Sequence, residues 1–304
     1  MKRHSIPIVL FLAISFVSAC SPKRIAVNAV GDMLADGGSI YESDDDIYLV
    51  GDALPFSLKL LESLLIESPD HRGLLLSASR GFVLYSYAYV HWQAEQVKYS
   101  SIQKARELRE RAQRLYLRGL RYGLHALALS NPGFEQALTD DPQQAVMQFS
   151  KSSAERNVPY LYWSAAALGL AISVSKNEPK LLARLPEVEA MLDHALTLDE
   201  DWNRGTLHEF KILWAAAQRS PTNQGLLRQH YERALTLSGG LRASLYVSMA
   251  EAVSLANQDR EEFTSLLEAA LAVNLEDDPE HRLLNAIAQR RAKWLLESID
   301  ELIL

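Results

Sequence analysis

Residues 50–92 read VGDALPFSLKLLESLLIESPDHRGLLLSASRGFVLYSYAYVHW and predict two helices joined at Ser68-Pro69-Asp70. Pro69 cannot continue the first helix, and Asp70 is suited to cap the second by accepting its free N–H groups. The stretch therefore predicts a helical hairpin. The first helix gathers large apolar side chains on one face, which are Phe56, Leu60, Leu61, Leu64 and Leu65.

The second helix of this hairpin is apolar on two faces, because apolar and small residues recur at gaps of three and four along two stripes. One stripe contains Leu75, Ala78, Phe82, Tyr85, Tyr89 and Trp92, and the other contains Leu76, Ser79, Val83, Ser86 and Val90. A helix with two apolar faces must lie between neighbours. We therefore expect it at the centre of a stack of helices.

Later helices repeat the pattern at the end of the first one: a large apolar residue, an acid nearby, a small residue, and apolar residues before a turn. The small residues of five copies are Ser63, Ala126, Ala195, Ala234 and Ala270. The last two gaps are 39 and 36 positions, near the tetratricopeptide period of about 34. The first two are near twice that period. The pattern predicts an all-α fold, a degenerate tetratricopeptide-like helical-pair solenoid (α-α superhelix).

Three further features complete this prediction. Breakers such as Pro132 and Pro142 predict an irregular loop over 131–157. Small residues four apart in the helix predicted over 158–175 permit close helix approach, and they are Ala165, Gly169 and Ser173. An uninterrupted helix over 280–304 is expected to cap the stack, with Arg290, Arg291 and Lys293 in solvent.

The N-terminus has the features of a bacterial lipoprotein signal. Basic residues precede an apolar run from Ile6 to Val17, and small residues precede Cys20. Residues 1–19 are then a cleaved signal peptide, with Cys20 as the lipidated first residue of the mature chain. Ser21, where Asp would retain the protein at the inner membrane, favours the periplasmic face of the outer membrane. An ordinary cleaved signal is the alternative interpretation.

Composition excludes several classes of protein. A formal net charge of −7 argues against nucleic acid as a partner. The sequence lacks a nucleophile elbow, a phosphate-binding glycine loop and a paired-cysteine metal motif, so we expect no enzymatic activity, cofactor or metal.

His208-Glu209 begins like a metalloprotease helix, but Ile212 occupies the position of the second histidine. Asp44, Asp45 and Asp46 are expected to cap a helix instead of binding calcium.

Two groups of residues are candidates for binding. One is a row of arginines along the helix predicted over 101–129, which consists of Arg111, Arg114, Arg118 and Arg121. These side chains could bind an anionic ligand or an acidic partner. Alternatively, they form weak ion pairs within the protein. The other is a set of aromatic residues, which are Tyr85, Tyr89, Trp92, Tyr160, Tyr162 and Trp163. These residues either fill the core or anchor a partner on a concave binding face.

Several long runs of this chain closely resemble the TatT family of tetratricopeptide lipoproteins, which is associated with tripartite ATP-independent periplasmic (TRAP) transporters. They include SDDDIYLVGDALPFSLKLLESLLIESPDHRGLLLSASRGFVLYSYAYV, LYLRGLRYGL, HYERALTLSGG and IAQRRAKWLLESIDEL. The resemblance implies a non-enzymatic periplasmic component that docks the transporter's substrate-binding protein and handles its hydrophobic or carboxylate ligand through a cavity. It also implies a homo-oligomer, such as a trimer. Cys20 is the one functional residue that it carries over.

The expected organisation is a signal peptide over 1–19, a lipidated tether with a short helix over 20–40, and one tetratricopeptide-like domain over 41–304. Two other functions stay open from the residues alone. A tetratricopeptide lipoprotein that scaffolds outer-membrane or pilus assembly would have the same pattern with a different partner. A cell-wall enzyme would need a polar constellation that is formed by residues distant in sequence.

Overall fold

The computed structural model describes residues 22–36, 38–218 and 224–303. Every regular element in these ranges is helical, which confirms the all-α prediction. The α-helices are α1 (Pro22–Asp36), α2 (Gly38–Glu42), α3 (Ile47–Glu67), α4 (Arg72–Tyr85), α5 (Trp92–Gln96), α6 (Ile102–Ser130), α7 (Phe134–Asp140), α8 (Pro142–Val146), α9 (Ala154–Ser173), α10 (Pro179–Leu182), α11 (Leu185–Leu198), α12 (Thr206–Gln218), α13 (Gln224–Ser238), α14 (Ala243–Met249), α15 (Arg260–Ala272), α16 (Arg282–Glu297) and α17 (Ile299–Leu302). The predicted signal peptide and Cys20 lie outside the described residues.

The predicted hairpin is formed by α3 and α4. Helix α3 begins at Ile47 and is capped by Asp46, whose carboxylate accepts from the N–H groups of Tyr48 and Leu49, as the capping interpretation expected. It ends before Pro69. The cap of α4 is His71, whose Nδ1 accepts from Leu74 N at 3.3 Å, so the assignment to Asp70 is wrong. The N-cap is the residue directly before the first helical residue. Because α4 starts at Arg72, that position belongs to His71 and not to Asp70.

Helix α4, a π-helical turn (Ser86–His91) and α5 form one continuous rod over 72–96. The rod is packed between α1, α3, α6 and α9, which confirms its central position. Residues of both predicted stripes are buried, Phe82 and Val83 among them. Helix α6 comes so close that a Cβ on Gly119 would lie 2.9 Å from the carbonyl oxygen of Ser79. A larger residue at 119 would therefore push the two helices apart.

The buried face of α3 differs from the predicted one. Phe56 is 73% exposed and Leu60 is 38% exposed, whereas Val50, Leu58 and Leu65 face the core. Helix α3 is apolar on more of its circumference than its neighbours can cover. Periodicity alone therefore could not decide which apolar stripe turns inward. The outer face of α3 exposes five large side chains, which are Tyr48, Leu49, Phe56, Leu60 and Ile66.

Neighbouring helices pack in sequence order through the rest of the chain. Helix α6 contacts α9, α9 contacts α11, and α12 contacts α13 and α14. A Cβ on Gly169 of α9 would lie 3.1 Å from the Trp214 ring of α12, so this small residue permits the close approach that its stripe predicted. The main core extends from Leu65 to Trp214, and a second core joins α14, α15 and α16.

Two predicted segments are wrong in detail. Residues 131–157 are mostly helical, because the breakers stand at helix boundaries: Asp141 accepts from Gln144 N at 3.1 Å and Pro142 occupies the first turn of α8. The last helix is interrupted, because α16 ends at Glu297 and α17 follows after Ser298. In both places a predicted single segment consists of shorter capped helices.

Helix α16 closes the array on itself instead of capping one end. It packs on α14 and α15, and it also contacts α2 and α3 from the beginning of the chain. Leu283 and Ile287 join Val50 and Ala88 in one buried cluster, and the Trp294 ring meets the Trp92 ring edge-on at 5.4 Å. The closure leaves an internal cavity between the first and last parts of the chain.

The side chains that were expected in solvent on α16 take part in this closure. Arg290 bonds to the backbone of Ala88, and Arg291 bonds to Glu251. Of the three, Lys293 alone is exposed. The expectation was wrong for Arg290 and Arg291 because it assumed that one side of the last helix faces water.

Candidate functional site, an internal cavity

A cavity of about 540 Å³ lies where α4, α9, α12, α14 and α16 face one another. Its wall includes many apolar side chains, among which are Val83, Leu84, Ala166, Leu170, Leu213, Val247, Leu284, Ile287 and Ala288. Concave sites with a mostly apolar wall and a few convergent polar groups are typical binding sites for small molecules. The cavity is therefore the candidate functional site.

An aromatic cluster forms one side of the cavity. The Tyr162 ring lies 4.9 Å from the centroids of both Trp163 and Trp202, and 5.9 Å from that of Phe210. Tyr162 and Trp163 come from α9, Phe210 comes from α12, and Trp202 comes from the 3-10 turn between α11 and α12 (Trp202–Gly205). Trp163 and Phe210 meet the Tyr162 ring edge to face and Trp202 is tilted against it, and these rigid rings hold the shape of the wall.

The turn that carries Trp202 has an unusual backbone. Asn203 and Arg204 are left-handed, with φ of 47° and 53°, and Gly205 follows at 87°. Left-handed backbone costs a non-glycine residue about 1 to 2 kcal/mol, so other contacts must hold the turn. Arg204 Nη1 donates to Asp278 Oδ2 at 3.0 Å, and Arg242 Nη2 donates to the Asn203 carbonyl oxygen at 2.8 Å.

Arg242 and Glu209 form a buried polar wall beside this turn. Arg242 also donates to His281 Nε2 at 2.9 Å. The nearest oxygen of Glu209 is 3.9 Å from Arg242 Nη1, which is too long for a hydrogen bond. Burial raises the pKa of the Glu209 carboxyl, and attraction to Arg242 offsets only part of that effect. Glu209 is therefore a buried acid that is ion-paired with Arg242 at 3.9 Å without a direct hydrogen bond to it.

Two other ion pairs line the cavity. Arg291 makes two hydrogen bonds to Glu251, at 2.8 and 2.6 Å, which link α16 to the π-helical turn that follows α14 (Ala250–Ser254). Arg80 on the central rod bonds to Glu42 of α2 at 2.5 Å. Both arginines have a bonded acid, so their charges are neutralised locally. Arg242 differs from them because its acid, Glu209, lies at 3.9 Å without a hydrogen bond.

Two tyrosine hydroxyls of the wall have no hydrogen-bond partner among the residues that the structure describes. Tyr87 and Tyr162 both line the cavity, and neither hydroxyl forms a hydrogen bond within the described part of the chain. Burial raises the pKa of both hydroxyls, so they stay protonated and can act as donors. Each lies within the electrostatic influence of Glu209. The wall thus offers hydrogen-bond donors that the protein itself does not use.

The predicted aromatic set does not converge on one site. Tyr162 and Trp163 line the cavity, but the Tyr160 hydroxyl donates to the carbonyl oxygen of Arg72 elsewhere. Tyr85 stacks on Tyr89 at 5.6 Å, and Trp92 packs on Trp294. Adjacent helix positions point about 100° apart, so residues close in sequence were distributed over several faces. The six residues therefore do not share one face, and two of them line the cavity.

The predicted arginine row is divided between two environments. Arg118 forms two hydrogen bonds with Glu62, and the Tyr122 hydroxyl donates to the same carboxylate at 2.7 Å. Arg111, Arg114 and Arg121 are exposed, and none of them has an ion pair among the residues described. The intramolecular interpretation therefore holds for Arg118. The anionic-partner interpretation stays a prediction for the other three.

Sequence reasoning missed the residues that give the cavity its polar character. Glu209 lies on α12 and Arg291 on α16, whereas Arg242 directly precedes α14 and Tyr87 lies in the π-helical turn of the central rod. One local signal was present, since Glu209 interrupts the apolar face of α12 between Leu207 and Phe210. A carboxylate inside an apolar stripe is costly without a partner.

One group of potential metal ligands occurs in the described ranges, formed by Asp278, Glu280 and His281. Asp278 already accepts hydrogen bonds from Arg204 and from His281 Nδ1, the latter at 2.9 Å. These hydrogen bonds explain why the three residues lie close together, and they stabilise the turn at Asn203. The Asp44–Asp46 run does not form such a group, and Asp46 caps α3.

None of the helices in the described ranges combines the length and the apolar composition that a bilayer-crossing segment needs.

An uncharacterized protein of Treponema pallidum (strain Nichols) is 26% identical to this chain over 322 aligned positions, which cover all of both proteins. The family model for the TRAP transporter T-component matches residues 43–303, nearly the whole helical array with its cavity. The chain therefore belongs to the TRAP transporter T-component family.

Proposed function

We propose that this protein is a non-enzymatic periplasmic component that docks the substrate-binding protein of a TRAP-type transporter and receives that protein's ligand in its cavity. Membership of the T-component family supports the association with a TRAP transporter. The observation that carries the ligand role is the mostly apolar cavity of about 540 Å³ with unused donors in its wall. A scaffold that only bridges two proteins would not need such a concave site.

The helical array is proposed to be a degenerate tetratricopeptide-type solenoid that closes on itself. Support comes from the sequence repeat and from the packing of consecutive helices in chain order. The closure by α16 is an added feature, because units of an open solenoid contact only their neighbours.

The lipid on Cys20 is proposed to hold the protein at the periplasmic face of the outer membrane. The apolar run and the small residues before Cys20 support this placement. A homo-oligomer, such as a trimer, is proposed as well. The exposed apolar row on α3, with Tyr48, Leu49 and Phe56, is the type of surface that such contacts bury.

The docking surface is proposed to include the exposed arginines Arg111, Arg114 and Arg121 on α6. They have no ion pair within the described residues, and an acidic patch on the partner would complement them. The cavity-lining pair Tyr162 and Trp163 is assigned to the ligand instead. Tyr85, Tyr89, Trp92 and Tyr160 are engaged inside the protein and are not proposed as contacts.

Co-purification from cells in mild detergent, followed by a binding measurement with the two purified proteins, tests this function. The expected result is recovery of a TRAP substrate-binding protein that binds the purified full-length lipoprotein saturably. Recovery of an outer-membrane or pilus assembly protein, with no affinity for the substrate-binding protein, would instead favour the scaffold alternative. Genes for a TRAP permease next to this one would identify which substrate-binding protein to purify.

A further inference from the structure

The first helix presents an apolar face to solvent. Ile25, Val30 and Met33 are 60%, 42% and 66% exposed, and Ala26 and Ala29 between them are exposed as well. Successive helix positions are about 100° apart, so these side chains fill one arc of about 140°. Over residues 25–33 this arc contains no charged residue. Single exposed apolar residues are ordinary, whereas a continuous apolar patch marks a surface that contacts a protein or a membrane.

Contacts with the rest of the protein fix which side of α1 faces outward. The Ser68 hydroxyl donates to Asn28 Oδ1 at 2.6 Å, and Asp32 forms an ion pair with His71 at 3.2 Å. Gly31 is buried, and a Cβ on it would lie 3.0 Å from His71 Nε2. Rotation of α1 to bury its apolar arc would break these contacts. The arc is therefore a fixed feature of the surface.

The short connection to Cys20 places this face beside the lipid. Helix α1 begins at Pro22, two positions after Cys20, and two extended residues span at most about 7 Å. In the proposed function Cys20 carries acyl chains, which hold the start of α1 at the level of the lipid headgroups. The exposed Arg24 lies at the same end, where its guanidinium can bind lipid phosphates.

We propose that α1 lies flat on the bilayer surface, with the apolar arc from Ile25 to Met33 among the headgroups, and that this contact orients the helical array on the membrane. An apolar face of this size binds weakly by itself. The lipid raises its effective concentration at the surface, so a weak contact suffices once the chain is anchored. This inference rests on the proposed lipid anchor and adds a second membrane contact.

Met33 distinguishes a flat α1 from an upright one. It lies about 16 Å along the helix axis from Pro22, at about 1.5 Å per residue. The headgroup layer on each side of a bilayer is about 5 to 8 Å thick, so an upright helix would hold Met33 in water. Met147 is a matched reference, because it is also a methionine with 66% exposure. It follows α8, which packs on α7 and α11.

The test places a fluorescent dye at each of these methionines. Met33→Cys and Met147→Cys are made in the full-length lipoprotein and labelled with a nitrobenzoxadiazole dye. Cys20 is the single cysteine of the sequence, and its lipidated form has no free thiol. The proteins are reconstituted on vesicles of phosphatidylethanolamine and phosphatidylglycerol that contain a lipid with a nitroxide near its headgroup. We expect the dye at 33 to lose about half its emission or more, and the dye at 147 less than about a tenth, because α1 alone contacts the lipid.

A charged variant controls for insertion of the dye itself. Ile25→Glu combined with Ala29→Glu places carboxylates in the arc, at positions that are exposed in the folded protein. In the Met33→Cys background it should reduce quenching to the level at 147, because carboxylates disfavour the interface. The melting temperature and flotation with vesicles should not change. Equal quenching at 33 and 147, or quenching that survives this variant, would overturn the inference.

Two further readouts separate this inference from the proposals on which it rests. A dye at 33 that is shielded from iodide but not quenched by the nitroxide lipid would show that another protein or a second copy covers α1, and the inference fails. Flotation reports the anchor, so a chain that does not float refutes both the anchor and the inference. Docking of the substrate-binding protein is measured on the same vesicles. If the chain floats and docks without quenching at 33, the inference fails and the proposed function stands.

Discussion

Arg290 Nη2 donates a hydrogen bond to the backbone carbonyl oxygen of Ala88 at 2.7 Å, although the two residues are 202 positions apart in sequence. Ala88 lies in the π-helical turn of the central rod, and the adjacent Arg291 bonds to Glu251 in the second π-helical turn. Local π turns occur frequently at functional sites. Here both turns meet the one helix that closes the cavity.

The closing contact should contribute measurably to stability. We expect Arg290→Met to lower the free energy of unfolding by about 1 to 3 kcal/mol, because the Ala88 carbonyl loses a charged donor and the guanidinium leaves its position 5.2 Å above the Trp92 ring. Urea titration measures the change. Lys293→Met, an exposed position on the same helix, serves as the control and should change stability by less than about 0.5 kcal/mol. Equal effects would show that α16 is not held at Ala88.

The central rod should be sensitive to loss of side-chain volume. Phe82 is 3% exposed, and its ring stacks on Tyr122 with centroids 6.0 Å apart. We expect Phe82→Ala to destabilise the protein by about 3 to 5 kcal/mol, whereas the exposed Phe56→Ala should change stability by less than about 0.5 kcal/mol. Chemical denaturation at low protein concentration compares the two. A loss below about 1 kcal/mol for Phe82→Ala would refute its core position.

The Glu62 network should give a pH-dependent contribution to stability. Burial acts to raise the pKa of Glu62, but hydrogen bonds from Lys59, Tyr122 and Arg118 outweigh it and lower the pKa from 4.5. A lowered carboxyl pKa stabilises the fold above the unfolded-state value, and this stabilisation disappears as pH falls through the folded-state value. Glu62→Gln should therefore destabilise by about 1 kcal/mol near neutral pH, and the difference should vanish in acid. Stability measured against pH tests this, and a constant difference would contradict it.

Docking through the arginine row should depend on the residues that lack internal partners. We expect Arg114→Glu combined with Arg121→Glu to slow association with the substrate-binding protein and to weaken its salt dependence, with little change in melting temperature. Arg118→Glu is the contrasting variant, because it breaks the pair with Glu62 and should lower the melting temperature. Surface plasmon resonance and thermal unfolding measure both quantities. Unchanged association kinetics in the double variant would remove these arginines from the docking surface.

Membrane attachment should depend on Cys20 alone. Cys20→Ser should leave the helical content and melting temperature of the mature domain unchanged, because we expect the lipid to lie outside the helical core. The variant should appear in the soluble fraction, since it cannot carry acyl chains. Cell fractionation with a high-salt wash measures this. A variant that still sediments with membranes would show that another contact anchors the protein.

The sequence determined the helical elements, because their signals are local. The hairpin predicted over 50–92 is formed by α3 and α4, and α3 ends before Pro69 as expected. Periodic apolar residues, helix caps and proline act within a few positions along the chain. The central position of the rod over 72–96 could also be predicted, since two apolar faces require two sets of neighbours. The family resemblance rests on runs of residues in order, and it too needed no coordinates.

Only the tertiary structure decided which surfaces meet. It turned Leu58 inward and Phe56 outward on α3, and it placed Glu209, Arg242 and Tyr87 around one cavity although they come from three distant segments of the chain. It also brought Arg290 to Ala88. Such contacts depend on how each helix is rotated and on the angle at which it crosses its neighbours. All neighbouring helices influence this orientation, so no local sequence pattern encodes it. The sequence therefore set what each helix can bury, and packing selected the faces that enclose the cavity.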